Sequence, residues 1–305
     1  MTYDHRTKAG NQGDVVKHVA LLAAARHALD GTRSTFRYAD AYAGPAGSLL
    51  LPSGKWASGV GKVNRSVEVH SVDIANWIRW YLARPQLVGS RYPGSSLIVS
   101  DAAAEARTPI TMTLWDISPD VVADLRGVFP NQDVRHSSVN ESAEAIRSAD
   151  LLFIDPPALA DQWALVLSLM AHGRYMLAWL PINAAVTPGS VKGSSLAESQ
   201  FQQVSALPSV SSTRVLWAYG GRTIGCLLAY RSTEKGVASI RAAVDEVVGL
   251  CSWTRKDVEH FDSRVSPSPN TRLHPTAAAA GERRRQADRR DKENICLISS
   301  ESFLF

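Results

Sequence analysis

Short apolar runs of strand length alternate with longer runs of helical periodicity through most of this 305-residue chain, and that alternation constrains its fold more than any other feature. Asp14–Ala28 places Val15, Val19, Leu22 and Ala23 at helical spacing, with Asp14 as the expected N-cap. Phe36–Ala41 reads as a strand entering the turn Gly44-Pro45-Ala46-Gly47, and Met112–Asp116 as a strand followed by a helix that Ser118 can cap. Ala149–Asp155 is a buried strand stopped by Pro156-Pro157; Tyr175–Leu180, Thr213–Tyr219 and Ile224–Tyr230 complete the set. Strands that alternate with helices predict βαβ units and a mostly parallel sheet. The last two runs are joined by Gly220–Thr223 alone, too short for a crossover, so an antiparallel hairpin is expected there.

The pattern breaks twice. Between about residues 50 and 95 a polar, helix-prone stretch with Trp56, Trp77, Trp80 and Tyr81 reads as an insertion on the sheet. From residue 262 the composition turns to Ser/Pro spacing, an Ala run and mixed charge, too little apolar surface to offset chain entropy, so residues 1–261 are expected to fold and 262–305 to form a disordered tail. The net charge of +4 is mild and does not by itself identify a polyanionic partner. Cys226, Cys251 and Cys296 lie far apart with no Cys/His cluster, which argues against a disulfide scaffold or a structural zinc site. With no long uncharged apolar run and no apolar segment at the N-terminus, the expectation is a soluble cytoplasmic protein, monomeric, with no membrane partner.

Three strand ends carry acidic residues: Asp40, Asp116 and Asp155. Ligands of open α/β sheets bind at the carboxyl ends of the strands, so these are the candidate positions. A Gly-rich turn after one strand and a carboxylate at the end of the next suit the ribose of a nucleoside cofactor, nicotinamide or S-adenosylmethionine alike. The turn is not GxGxxG, which argues against a dinucleotide. Gly59–Lys62 looks like a fragment of a phosphate loop, but Val63 stands where a hydroxyl should hold magnesium, and the histidines show no metal-ligand spacing, so no metal is expected. The sharper signal is Asp155-Pro156-Pro157. Two prolines forbid helix and ladder alike and hold the backbone extended, which fixes a carbonyl beside the carboxylate. Together these can take the two hydrogens of an exocyclic amine and favour its attack on a methyl group.

In order along the chain stand Tyr3-Asp4-His5, Ala9-Gly10-Asn11, Asp14-Val15-Val16-Lys17-His18, Tyr38-Ala39-Asp40-Ala41-Tyr42-Ala43-Gly44 and Ser58-Gly59-Val60-Gly61. Tyr92-Pro93-Gly94-Ser95, Asp116-Ile117-Ser118-Pro119, Ile154-Asp155-Pro156-Pro157 and Trp179-Leu180-Pro181 follow. From residue 3 to about 250 this series resembles the bacterial 23S ribosomal RNA adenine-N6 methyltransferase J family. The resemblance implies an α/β Rossmann-like, S-adenosylmethionine-dependent methyltransferase sheet with a small helical insertion. It further implies protein-free or precursor 23S rRNA as partner. Carried over by position, His18, Ser95, Asp116 and Asp155 would contact the cofactor. Asp155 would also be catalytic, and Tyr3, His5 and Lys17 would face the substrate.

Three positions depart from the family's pattern. Ala158 stands where the family has the tyrosine that stacks on the flipped base, and such stacking is worth about 1–3 kcal/mol. Trp163 or Tyr3 is a candidate replacement. Tyr42 stands in place of a cofactor-side histidine, and Ser138 (or Asn140) in place of an aspartate beside the cofactor's adenine. A catalytically impaired homologue that binds cofactor or RNA, and a nicotinamide-dependent oxidoreductase, stay open as alternatives.

Overall fold

Leu151-Leu152-Phe153-Ile154 is buried at every position. A strand with no polar face must be covered on both sides, so this one has to sit inside a sheet that is itself sandwiched by helices. That is its place in the computed structural model, which describes residues 8–30, 32, 34–51, 54–63, 91–140, 143–183, 198–219, 222–251 and 256–262. The chain divides into Met1–Ser266 and Pro267–Phe305, and no residue of the second unit is among those described.

The strands are β1 (Phe36–Asp40), β2 (Gly47–Leu49), β3 (Arg91–Pro93), β4 (Ile110–Asp116), β5 (Asp133–His136), β6 (Leu151–Ile154), β7 (Tyr175–Asn183), β8 (Ser211–Tyr219), β9 (Arg222–Arg231) and β10 (Lys256–Phe261). Eight of them form one sheet in the order β10-β8-β9-β7-β6-β1-β4-β5, and β2 pairs with β3 apart from it. The run β7-β6-β1-β4-β5 is parallel, while β9 runs antiparallel to β7 and β8, and β10 antiparallel to β8. Numbered in chain order, the five parallel strands lie 3-2-1-4-5, the Rossmann order, with the switch point beside β1. The fold is thus the mostly parallel α/β sheet that the alternation predicts, and it is Rossmann-like, as the resemblance implies. The β8–β9 hairpin is also as expected, closing at Tyr219 opposite Arg222.

Alternate residues of each strand feed two cores. Phe36, Tyr38, Leu114, Leu151 and Phe153 face α1 (Gln12–Asp30), α2 (Ser95–Glu105), α3 (Pro119–Val128) and α7 (Glu234–Cys251). Ala39, Trp115, Leu152, Ile154 and Met176 face α4 (Glu144–Arg147), α5 (Trp163–Leu169) and α6 (Glu198–Ser205). Most of α1 is buried, including Leu21, Leu22 and Ala25, because it is wedged between the sheet and other helices. It precedes β1 and runs back along the sheet, so its first turn lies at the carboxyl ends of the parallel strands. That placement brings it to the candidate ligand edge.

One expectation changes. Asp14 is not the N-cap: the helix starts at Gln12, and Asn11 caps it by accepting the Asp14 backbone N–H at 3.1 Å. Asp14 is thereby the third helical residue. Of the insertion expected at 50–95, residues 64–90 lie outside the described residues; what is described includes a 3-10 turn at Lys55–Ser58 and strand β3. Among the described residues no helix is long and apolar enough to cross a membrane.

Candidate functional site

The first two turns of α1 supply three polar side chains to one place. Asp14 accepts the Gly10 N–H at 3.0 Å, which turns its carboxylate toward Lys17 one turn on. The Lys17 Nζ lies 3.0 Å from Asp14 Oδ1 and 2.7 Å from Asp155 Oδ2, so one ammonium bridges two carboxylates. Burial disfavours the Lys17 charge, but Asp14 and Asp155 outweigh it and hold the ammonium well above its ordinary range. Burial likewise works against the Asp14 carboxylate, and Lys17 and His18 pull it below the usual value. The trio carries a net charge of minus one. His18 is buried beside it and is pushed down to about 3, first by desolvation and then by Lys17, so its ring is neutral at physiological pH. Its Nδ1 pairs with the Tyr92 hydroxyl at 2.9 Å, which leaves Nε2 for a ligand.

The end of β1 and the turn after it form the next wall. Asp40 is fully buried and faces inward: its carboxylate accepts the Tyr38 hydroxyl at 2.8 Å, the Ser95 hydroxyl at 2.5 Å and the Tyr42 N–H at 3.2 Å. Burial pushes this carboxyl up to about 6 against those bonds. The Ser95 hydroxyl is committed to this knot, at the start of α2. Gly94 must be glycine, since a Cβ there would sit 2.2 Å from the Pro45 carbonyl; the close approach locks the Gly-rich turn onto α2. Within that turn Gly44 has φ +61 and nothing within 4 Å of where its Cβ would be. Asp116, at the end of β4, accepts the Gly44 N–H at 3.2 Å and the Ser118 N–H at 2.7 Å. Each of its oxygens keeps a lone pair for a hydroxyl. Ile117 beside it is 68% exposed.

Asp155 follows β6 directly. Its Oδ2 holds Lys17, and no donor among the described residues reaches Oδ1. These elements enclose a cleft of about 850 Å³, within the range of small-molecule sites. Of the residues singled out in the sequence, Lys17, His18, Tyr42, Ser95, Asp116, Ser138 and Asp155 line it, and Asp40 and Asn140 do not. Ser138 sits on the exposed rim after β5. The Tyr42 hydroxyl is buried and has no hydrogen-bond partner among the described residues. Tyr3 and His5 lie outside the described residues. Trp163 is corrected as a replacement stacking ring: its Nε1 donates to Gln203 Oε1 at 2.8 Å on α6, and it does not line the cleft. Trp179 of β7 and Trp217 of β8 do.

The sequence reading missed Asp14, Ile117, Gln162 and Trp217 as cleft residues. Asp14 three positions before Lys17 was a legible ion-pair spacing, and Ile117 lay inside the Asp116–Pro119 run; Gln162 and Trp217 gave no signal.

No known family profile matches the chain, and no curated protein matches it in sequence. Among solved structures, the Legionella pneumophila protein LPL1258, of family DUF519, superposes with a TM-score of 0.64 at 18% identity, covering 84% of this chain and 99% of its own. A proposed methyltransferase from Thermoplasma acidophilum matches at a TM-score of 0.27 and 12% identity, over 68% of this chain and 72% of its own. The first likeness concerns the fold; the second is too loose to bear on activity.

Proposed function

We propose that this chain is an S-adenosylmethionine-dependent methyltransferase that modifies N6 of an adenine in 23S ribosomal RNA, with protein-free or precursor RNA as its substrate. The observation that carries the reading is the convergence on one cleft of strand-end carboxylates and an Asp-Pro-Pro tip, residues far apart in sequence. The residues present suit the cofactor. Asp116 keeps two lone pairs for the ribose hydroxyls, Ile117 offers an apolar contact to the adenine ring, and the Gly44 turn leaves room for backbone approach. The buried Tyr42 hydroxyl and His18 Nε2 supply further polar contacts.

S-adenosylmethionine supplies an electrophilic methyl group, which passes to the amine nitrogen as its bond to sulfur breaks and the electron pair stays on sulfur. The chain's own part is orientation. Asp155 accepts an N6 hydrogen through Oδ1, balances the positive charge that grows on nitrogen, and passes the released proton to water. Lys17 remains an ammonium throughout and holds Asp155 in place. A base must leave its stack to reach a carboxylate inside a cleft, which favours RNA not yet sequestered in a particle.

Calorimetry with S-adenosylmethionine and with NAD tests the cofactor, and labelled-methyl transfer into unmodified 23S transcript, with nuclease digestion of the product, tests the reaction. Cofactor binding and N6-methyladenosine are expected. Binding without transfer identifies an impaired binding homologue, a reading that Ala158 favours because its methyl group offers no ring to stack on a base. Binding of NAD instead overturns both.

A further inference from the structure

Gln162 occupies the N-cap position of α5, seven residues past Asp155, and does none of the work of a cap. Its side chain makes no capping bond; only its backbone carbonyl joins the helix, accepting the Val166 N–H at 2.9 Å. The side chain lines the cleft, and its Oε1 is buried with no hydrogen-bond partner among the described residues. Its neighbour Trp163 turns the other way, to Gln203. A buried amide oxygen left unpaired is costly, and it shares that condition with the Tyr42 hydroxyl on the same cleft.

An amide carries an acceptor and a donor side by side. The edge it complements is an amino group next to a ring nitrogen, the pattern by which glutamine pairs with adenine. We propose that Gln162 reads the base presented to Asp155: Nε2 donates to the ring nitrogen beside the amine, and Oε1 shares with the backbone carbonyl beside Asp155 the amine hydrogen that Asp155 does not take. This rests on the methyltransferase reading and extends it to specificity. Guanine and uracil place a carbonyl oxygen where the amine would be, and the Asp155 carboxylate repels it.

The test compares the wild type with Gln162→Ala on 23S transcripts made with ATP, 1-deaza-ATP or 7-deaza-ATP. Methyl transfer is measured as kcat/KM and S-adenosylmethionine affinity by calorimetry. Gln162→Ala is expected to lower kcat/KM about 10–100-fold, the range for loss of a bidentate base contact, with cofactor Kd within about twofold. One deaza transcript should slow the wild type about tenfold and the variant by less than about twofold more, a coupling that a merely structural role does not produce. Transfer at the wild-type rate, joint loss of cofactor affinity, or equal slowing of both proteins by deaza-adenine overturns the proposal. A wild type that neither binds S-adenosylmethionine nor moves a methyl group overturns the methyltransferase reading itself, and shows it without the variant.

Discussion

Replacing Lys17 by methionine keeps most of the side chain's volume and deletes its charge. Asp14 and Asp155, which sit 3.0 and 2.7 Å from the ammonium, then face each other without a counterion. Breaking a fully buried pair costs about 3–5 kcal/mol, and an exposed one about 0–1. Here the two carboxylates keep 21% and 25% exposure and the lysine 11%, so a loss of about 2–3 kcal/mol at pH 7 is expected. In a domain of this size that is a fall in Tm of about 5–10 °C. The pH dependence follows from the shifts. Asp14 has a lowered folded pKa, so its contribution is present above its unfolded value of 3.8 and is lost as pH falls through the folded value. Lys17 has a raised one, so its contribution is complete below 10.5 and fades only as pH rises through the folded value. The deficit of the variant is therefore full at neutral pH and narrows as pH falls below 3.8 and through the folded value of Asp14. Guanidinium unfolding followed by tryptophan fluorescence at pH 7 and at about pH 3 reads both quantities. A deficit under about 0.5 kcal/mol at pH 7, or one unchanged at about pH 3, would refute the reasoning. Adding Asp155→Asn to the variant should recover about half of the loss, since a single charge is then left unpaired.

Three further outcomes are expected. Asp155→Ala should abolish methyl transfer and leave Tm nearly intact, because Lys17 retains Asp14; near-wild-type incorporation of labelled methyl would sink the catalytic assignment. Ala158→Tyr should raise kcat/KM about tenfold if a stacking ring is what the cleft lacks, and an unchanged rate in the same assay would mean that Trp179 or Trp217 already provides it. Asp40, with its carboxyl pushed up to about 6, contributes stability that is complete below its unfolded pKa and is lost as pH rises through 6. The stability of wild type relative to Asp40→Asn should thus fall by on the order of 3 kcal/mol between pH 4 and pH 7.5. Denaturant melts showing a constant difference would contradict it.

The interior strands were legible because burial on both faces writes an unbroken apolar run, as in Leu151–Ile154. The edge strands were not. β5 (DVRH) and β10 (KDVEHF) close the two ends of the sheet, where charge protects an open edge from pairing and erases the apolar signal that marks a strand. The same division holds in the cleft. Asp116 and Asp155 could be placed from sequence because topology sends strand ends to one edge, whatever the side chains do there. Gln162 could not, since nothing local distinguishes a glutamine that turns into a cleft from a solvated one. Trp163 misled for the converse reason: its nearness to Asp155 along the chain says nothing of which face of the loop it takes, and its indole nitrogen is claimed by Gln203.

The position of α1 decides which residues meet in the cleft. Its first turn must lie at the carboxyl ends because the helix leads directly into β1, so Lys17 meets Asp155 across 138 residues of chain without any loop having to carry it there. Asp14 then becomes more than a helix-start residue. If Lys17 had Asp155 as its sole partner, the ion pair would be neutral and the carboxylate's charge largely spent. With two carboxylates sharing one ammonium, the trio keeps a full negative charge, and Asp155 Oδ1 has charge to offer an amine. The ion pair that stabilises the helix against the sheet is for that reason compatible with the proposed methyl transfer instead of competing with it.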